Sequence, residues 1–282
     1  ASNWRPITIG SSIQRLFHRI LANRLSSLVR LNSNQRGFVK TDGTLANTLI
    51  LDSLINGRTQ ARKGTSMISM DIRKAFDSVS HHSIIRGLRR FQISPYLINY
   101  IQATFTSSST IFCVGQKESE SVPINRGVRQ GDPMSPLLFS IMLDELVGKL
   151  SDISEGCSMG DGVNCSVIAF ADDLVLLAET ERSLQRSINI STEFFTRRGM
   201  AVNPTKCYAL IKHNINGAVV PLTNSSINIQ GREVTHVSDV NPIRYLGHQF
   251  GSQGQMKPCL SNYPIWLQRL VALPLKPDQK FS

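Results

Sequence analysis

The chain has 282 residues, of which 41% are hydrophobic and 18% are charged, as in ordinary globular proteins of one large or two modest domains. No apolar run reaches membrane-spanning length and no signal peptide is visible, so no membrane partner is expected. The five cysteines are odd in number and lack the paired short spacing of a zinc site, which indicates reduced thiols in an intracellular protein.

The net charge of +11 indicates a polyanionic partner, most often nucleic acid, although simple solubility is the alternative. The charge is uneven, because residues 1–66 hold ten Lys or Arg and only two acids. Several acids later in the chain come in pairs or clusters, which indicates a metal site within a frame of positively charged residues. Phosphate contacts from such a frame make binding salt-dependent and largely independent of sequence.

Apolar residues at helical spacing predict an amphipathic helix over residues 12–30. Its apolar positions are Ile13, Leu16, Phe17, Ile20, Leu21, Leu25, Leu28 and Val29. Arg15 and Arg19 lie together on its polar side, either as a solvated face or as contacts to nucleic-acid phosphates. A second helix is expected after Thr44.

Residues 65–71 alternate apolar and polar side chains, which predicts a strand ending in an acid. Further along we expect helices over 83–105, a hairpin over 111–125 around Gly115, and a helix over 136–150 with Ser135 as N-cap. A strand–turn–strand over 166–178 and a helix over 182–198 should follow. Short strands should then run to about 250, and a last helix should start at about 263. The predicted strands and helices are mixed along the chain without a steady βαβ alternation, which favours an α+β fold.

Two adjacent carboxylates, Asp172 and Asp173, stand between apolar strands in SVIAFADDLVLLA. Like charges this close repel each other, and a bound divalent cation removes that problem. The alternative is a plain turn, since acids are common turn formers.

Asp71 ends the predicted strand 65–71. Asp172 also ends an apolar strand, and if these two strands lie side by side in one sheet, three carboxylates surround one point. Such hard oxygen ligands suit Mg²⁺. Two ions roughly 3.5–4 Å apart can activate an attacking hydroxyl and stabilise the leaving oxygen of a phosphoryl transfer.

The segment RGVRQGDPMSPLLFSIML, residues 126–143, holds two glycines that allow a backbone to approach a ligand, Gly127 and Gly131. Gln130 between them can hydrogen-bond a base or sugar edge. Taken alone, the segment is more simply a Gly/Pro turn before a helix.

In this order the motifs resemble the palm of reverse transcriptases, and the resemblance covers nearly the whole chain. NWRPIT with its basic helix resembles the first finger motif, and QRGFVKTDGTLANTLIL resembles the second. SMDIRKAFDSV looks like the palm strand with the first metal-binding Asp, RQGDPMSPLLF like the template-and-nucleotide loop, and FADD like the metal-binding hairpin. GMAVNPTKC and RYLGHQF resemble the two motifs that follow. FADD, Phe76 and the sequence RQGDPMSPLLF are most similar to the corresponding motifs of non-LTR retrotransposon enzymes, particularly those of elements that insert into ribosomal RNA genes.

The resemblance implies that Asp71, Asp172 and Asp173 are catalytic residues that hold two Mg²⁺ ions, with Mn²⁺ as an alternative. The backbone carbonyl of Ile72 should help to hold one ion. Phe76, five residues after Asp71, should lie under the sugar of the incoming nucleotide.

The resemblance also implies further nucleotide contacts. Arg5 should contact the triphosphate, and Gln130 and Gly131 should line the pocket. Lys206 looks like the basic residue that protonates or neutralises departing pyrophosphate. A solvated lysine is the alternative for Lys206, and a phosphate-backbone contact or a surface ion pair is the alternative for Arg5.

The expected fold is an α+β right-hand polymerase: fingers, an antiparallel palm sheet flanked by helices, and a truncated thumb. The domain 1–250 should hold fingers mainly at 1–66 and 80–110 and palm at 67–79 and 111–250, with the thumb starting in 251–282. The chain lacks an initial Met and the finger strand that usually precedes NWRPIT. We therefore expect a fragment of a longer polyprotein, with nucleic-acid-binding fingers upstream and an endonuclease downstream.

The expected function is RNA-directed DNA polymerisation, which adds deoxynucleoside triphosphates (dNTPs) to a primer 3′-hydroxyl on an RNA template. The family resemblance implies a primer at a nick in the host chromosome, and hence a nuclear setting. Two alternatives stay open. One is an RNA-directed RNA polymerase, against which the bulky Phe76 argues. The other is a non-catalytic RNA-binding remnant, against which the intact Asp71, Asp172 and Asp173 argue.

Overall fold

The computed structural model describes residues 8–38, 42–152, 155–159, 163–222, 225–238 and 241–256. Within these ranges lie seven α-helices and one 3₁₀ helix, Pro204–Lys206. The α-helices are α1 (Ser12–Leu28), α2 (Gly43–Gln60), α3 (Ala75–Ser78), α4 (His81–Arg90), α5 (Pro95–Thr106), α6 (Ser135–Asp152) and α7 (Glu181–Thr196).

The same ranges hold seventeen strands, many of them only two residues long. They are β1 (Thr65–Met70), β2 (Ser109–Thr110), β3 (Cys113–Val114), β4 (Lys117–Glu118), β5 (Val122–Pro123), β6 (Cys157–Ser158), β7 (Asn164–Cys165), β8 (Val167–Phe170), β9 (Asp173–Ala178), β10 (Tyr208–Ile215), β11 (Ala218–Pro221), β12 (Asn228–Ile229), β13 (Arg232–Glu233), β14 (Thr235–His236), β15 (Ile243–Tyr245), β16 (His248–Gly251) and β17 (Gly254–Gln255).

The main sheet has the order β11-β10-β1-β9-β8, with every neighbouring pair antiparallel, and β14 adds to β10 in parallel. Its central strand β1 is covered on both faces. Ile68 and Met70 pack into a core with residues of α4, α6 and α7, whereas Met67 packs on the opposite side with residues of α2. This explains why Ser66 is also buried, although the alternating sequence predicts a half-exposed strand.

Most of the predicted elements are present, and the predicted α+β class is confirmed. The stretch expected to be helical over 83–105 is two helices, because Gln92 takes a left-handed φ of +54° after α4 and Pro95 opens α5. The expectation that Ser135 is the N-cap of the next helix is wrong. The helix already includes Ser135, and the Asp132 carboxylate accepts a hydrogen bond from the Met134 amide at 2.8 Å.

Helix α1 forms where predicted, but its apolar side is largely uncovered by the described residues. Leu25 is fully buried, whereas Ile13 is 83% and Leu16 62% exposed. Helical periodicity identifies the apolar side of a helix but not what covers it.

Two expectations fall partly outside the described residues. The helix expected near 263 lies in 257–282, and of the expected thumb only 251–256 is described, where it completes the hairpin of β16 and β17. The assignment of fingers, palm and thumb therefore stays a prediction.

Four of the five cysteines are free thiols, and Cys259 is outside the described ranges. No helix among the described residues is long and apolar enough to cross a membrane.

Candidate active site

The three aspartates come to one end of the main sheet through strand register. β1 pairs with β9 so that Met70 lies opposite Leu174, and Asp71 is the next residue of its chain. The β8–β9 hairpin closes at the pair Phe170 and Asp173, which leaves Ala171 and Asp172 as the turn. The expectation that the strands ending in Asp71 and Asp172 are neighbours is wrong, because β9, which starts at Asp173, lies between β1 and β8. The hairpin nevertheless places the acidic turn at the same end of the sheet as Asp71.

The donor chemistry of this sheet end fits a hard divalent cation, since the groups supplied are carboxylates. Burial raises the pKa of the Asp71 carboxyl, although the Lys206 charge and a hydrogen bond from the Asn203 side chain oppose that rise. A cation stabilises a desolvated carboxylate of this kind. In the described part of the chain no three His, Cys, Asp or Glu side chains are close enough together to hold a metal ion.

The segment after α7 supports Asp71 from one side. The Asn203 amide donates to the Asp71 carbonyl at 2.8 Å, and Ile72 forms an antiparallel bridge with Val202. The Cys207 thiol lies 3.4 Å from the Asp71 amide, and burial raises the pKa of that thiol to about 11. This path brings the Lys206 charge near Asp71, while the predicted role of Lys206 toward pyrophosphate stays a prediction. Sequence reasoning assigned Lys206 alone and missed its neighbours in NPTKC.

Two further residues that sequence reasoning missed support the acidic turn. Ala171 takes φ of +54°, a left-handed conformation that is uncommon without glycine. The Gln35 side-chain oxygen accepts from the Ala171 amide at 3.2 Å and from the Gly37 amide at 3.0 Å. A Cβ on Gly37 would lie 2.3 Å from the Ala171 nitrogen, so only glycine fits there. The signal was present in the QRGF motif, which had no residue assigned.

The tyrosine of RYLGHQF lies on the α2 side of the same hairpin. Asn47 donates to the Ala169 carbonyl at 3.1 Å and to the Tyr245 hydroxyl at 3.2 Å. Burial raises the pKa of Tyr245 far above its ordinary range, and the nearby negative charge of Asp173 adds to the rise. Tyr245 therefore stays a neutral hydroxyl beside the acidic hairpin.

Phe76 is half-buried and stacks on Phe139 of α6, with ring centroids 4.8 Å apart and planes 12° apart. Its ring also meets the edge of Phe38 at 6.5 Å. The Val128 amide donates to the Phe76 carbonyl at 2.7 Å, which joins this residue to the loop 126–132. The structure thus brings Phe76 to the predicted nucleotide loop while giving it a partner in the core.

The loop 126–132 is ordered by contacts with its surroundings. The Gln130 amide group donates to the Asp77 carboxylate at 2.8 Å, so in this structure it bonds within the protein rather than presenting a free donor. Gly131 is exposed with φ of +106°, a conformation that favours glycine. Gly127 lies against the backbone of Asp77, where a Cβ would approach its carbonyl oxygen to 2.8 Å.

A buried histidine ties this loop to α1. His18 is fully buried, and its Nδ1 contacts the Asp132 carboxylate while its Nε2 lies 2.9 Å from the Tyr100 hydroxyl. On the same helix, Arg15 and Arg19 are exposed and line a shallow groove with Pro133, which follows the loop. Arg5 lies outside the described residues.

An antiparallel sheet with carboxylates at one end, packed on helices and joined to a glycine-containing loop, is the polymerase type of fold. Solved telomerases share it. The telomerase of Candida tropicalis in complex with a fragment of telomeric RNA superposes with a TM-score of 0.55 at 13% identity, over 88% of this chain and 37% of that one. A second structure, of the apo telomerase of Candida tropicalis, gives the same TM-score at 13% identity over 89% of this chain and 41% of that one.

The family model for reverse transcriptase (RNA-dependent DNA polymerase) matches residues 1–250. The chain belongs to this family. Among similar proteins, the retrovirus-related Pol polyprotein from type-1 retrotransposable element R2 of Popillia japonica is 42% identical over all of this chain and 40% of its own length. The corresponding Nasonia vitripennis protein is 36% identical over 99% of the chain and 27% of its own length. The chain thus spans well under half the length of these relatives. Membership implies use of a divalent metal and an RNA template.

Proposed function

We propose that this chain is the polymerising part of a retrotransposon protein and that it copies RNA into DNA at the end of the main sheet. The observation that carries the proposal is the register that brings Asp71 to the end of the sheet beside the Asp172–Asp173 turn. The family match favours DNA synthesis over the RNA-polymerase alternative. The intact carboxylates favour catalysis over a non-catalytic remnant.

Asp71, Asp172, Asp173 and the Ile72 carbonyl would hold the metal. The three carboxylates do not form a ready-made three-ligand group in the described structure, so a bound ion would have to draw them together. When bound, a pair of Mg²⁺ ions lowers the barrier by activating the primer 3′-hydroxyl and stabilising the leaving oxygen. The chain's own groups supply positioning and charge. Lys206 places a cation beside Asp71, where it can neutralise or protonate departing pyrophosphate.

The nucleotide and the nucleic acid are proposed to meet the protein at the residues named from the sequence. Phe76, Gln130 and Gly131 surround the base and sugar of the dNTP, and Arg5 contacts its triphosphate. Arg15 and Arg19 contact backbone phosphates, and the primer is a nicked chromosomal DNA. That primer requires a nuclear location for the parent protein.

The test is single-nucleotide addition to a DNA primer annealed to an RNA template, with Mg²⁺ and one dNTP. Asp172→Asn keeps the size of the side chain but removes the charge that a divalent cation needs, so nucleotide addition should fall by at least about 10³-fold, as when an electrostatic catalytic group is lost. RNA binding should persist, because it depends on the basic surface.

Asp152→Asn is the matched control, since Asp152 is an exposed residue at the end of α6 and should leave addition unchanged. Mn²⁺ binding followed by electron paramagnetic resonance supplies a second readout that does not need turnover. Near-normal addition by Asp172→Asn, or equal metal binding by both variants, contradicts the proposal.

A further inference from the structure

Three cations converge on one carboxylate on the helical side of the molecule. Glu145 of α6 accepts hydrogen bonds from Arg198 at 2.6 Å, from Arg86 of α4 at 3.1 Å and from Lys149 at 3.2 Å. A single carboxylate neutralises only one of these charges. The cluster therefore carries uncompensated positive charge at a point where three helical segments meet.

The cluster lines a concave groove of about 250 Å³ between α4, α6 and α7. The charged and titratable side chains of its wall are His82, Arg86, Glu145, Lys149, Glu193, Arg197 and Arg198. Four Lys or Arg thus face two glutamates, and one of those glutamates, Glu193, is engaged by Arg197. The excess of two positive charges is concentrated in a groove rather than spread over a convex surface.

The groove has a rigid base and accessible sides. The Arg198 side chain is only 8% exposed, and its guanidinium lies 3.4 Å from the centre of the Phe194 ring. The side chains of Arg86 and Lys149 are 62% and 57% exposed, so both are accessible from solvent. Their remaining N–H groups are suited to phosphate oxygens, which accept several hydrogen bonds at once.

We propose that this groove binds backbone phosphates of single-stranded RNA outside the catalytic cleft. Charge near the groove extends beyond a single phosphate, because Arg126 approaches Gly199 next to Arg198 and Arg89 follows Arg86 on α4. Several cations near one groove fit a polyanion better than an isolated anion. α4, α6 and α7 pack on the face of the main sheet opposite α2. None of the groove residues is assigned to the metal, the nucleotide or the primer, so the proposal does not depend on catalysis.

The experiment measures binding of a fluorescent single-stranded oligouridylate RNA to the 282-residue chain at several KCl concentrations. Arg86→Gln combined with Lys149→Gln removes the two exposed cations and leaves the buried Arg198–Glu145 pair in place. Because each phosphate contact with a single strand contributes about 0.7 to the slope of log affinity against log salt, the slope should decrease by about 1.4.

Two matched double variants sharpen the result. Arg86→Lys with Lys149→Arg keeps both charges and should retain the slope. Lys117→Gln with Arg232→Gln removes the same charge from two exposed hairpin residues and should also retain it. Thermal unfolding of each variant shows whether the fold is intact, and Arg86→Gln alone, with an expected decrease of about 0.7, serves if the double variant is unstable.

An unchanged slope in the folded Gln variants overturns the proposal. An equal decrease in the Lys117 and Arg232 control also overturns it, because RNA binding would then depend on the overall positive charge of the protein rather than on the groove. A raised KM for dNTPs with unchanged RNA binding assigns the groove to nucleotide entry instead. Preferential loss of binding to anionic lipid vesicles assigns it to a membrane surface. Either outcome rejects RNA docking there.

Discussion

Phe76 combines a core contact with a place beside the loop 126–132, the proposed nucleotide loop. One of its neighbours is Phe139, on which it stacks, and another is the amide of Val128 in the loop 126–132. A phenyl ring under the sugar offers a 2′-hydroxyl neither room nor a hydrogen-bond partner. Discrimination by overlap can exceed that of a merely apolar pocket, which is about 10–200-fold per methylene-sized difference.

Phe76→Val should therefore admit ribonucleotides while deoxynucleotide incorporation falls less. The measurement is the ratio of kcat/KM for the two nucleotide types in the wild-type and variant proteins. Phe91→Val is the control, because Phe91 follows α4 and packs against the same core. It should lower stability by roughly 2–4 kcal/mol and leave the ratio unchanged. A ratio that does not move in Phe76→Val shows that Phe76 acts only as a core residue.

Gly37 gives a second prediction at the scale of a single residue. Since a Cβ there would lie 2.3 Å from the Ala171 nitrogen, Gly37→Ala must displace the acidic turn or the segment that packs on it. We expect a loss of about 1–3 kcal/mol in stability through overpacking, together with a large loss of nucleotide addition. Chemical denaturation and primer extension measure the two effects.

Gly57→Ala is the matched control, because Gly57 lies inside α2 and a Cβ there meets no atom within 4 Å. It should stabilise the protein by about 0.5–1 kcal/mol through helix propensity and leave activity intact. Equal behaviour of the two alanine variants means that the contact between Gly37 and the turn has no functional role.

The sequence predicted the acids of the site but not the residues that support them. Asp71 and Asp172 are recognisable because each follows an apolar run, a local pattern. Gln35 and Asn203 are polar residues in ordinary loops, and their importance comes from backbone partners far along the chain. Such contacts depend on tertiary packing, which no window of sequence contains.

At the scale of elements, the ion cluster around Glu145 joins α4, α6 and the end of α7. Burial raises the pKa of the Glu145 carboxyl, but its three cationic neighbours outweigh burial and lower the pKa below its ordinary 4.5. A carboxyl whose pKa is lower in the folded than in the unfolded state stabilises the fold above the unfolded pKa. That stability is lost as pH falls from about 4.5 through the folded pKa.

Glu145→Gln should lower the free energy of unfolding at pH 7 by about 3 kcal/mol, because the buried Arg198 charge loses its partner. It should also flatten the dependence of stability on pH below about 4.5. Urea denaturation across pH 3–7 measures both effects, within the range where the wild-type protein stays folded. Glu193→Gln removes an exposed pair with Arg197 and should cost at most about 1 kcal/mol. Equal losses in the two variants contradict the structural role assigned to Glu145.

The start of α1 followed from the sequence, whereas α2 begins at Gly43 rather than at the expected position after Thr44. Ser11 caps α1 and Asp42 caps α2 through their own side chains, as short polar residues do. The start of α6 depends instead on Asp132, which is also held by the distant His18. The exposed Ile13 and Leu16 on α1 show the same limit, since amphipathicity does not identify a partner.

At the scale of the whole molecule, the chain covers 40% of the length of its Popillia japonica relative. Remote contacts with template and primer hold reacting groups in line, and a chain without the additional residues of its relatives has less of that binding energy. We expect the 282-residue chain to bind template–primer weakly and to add few nucleotides per encounter. A protein extended to the length of the relatives should add many more. The measurement is product length under single-encounter conditions with a heparin trap. Long products from the short chain alone would show that the additional residues matter little for extension.

The central position of β1 also constrains the order in which the protein can form during translation. Thr65 pairs with Lys212 and Met70 with Leu174, so both neighbours of β1 are synthesised long after it. Contacts so distant along the chain give a high contact order and slow folding. Until residue 212 has left the ribosome, the apolar strand around Ile68 lacks at least one of its two partners and presents an unpaired edge. The nascent chain is therefore most exposed to aggregation and to chaperone binding through β1, the same strand that later positions Asp71.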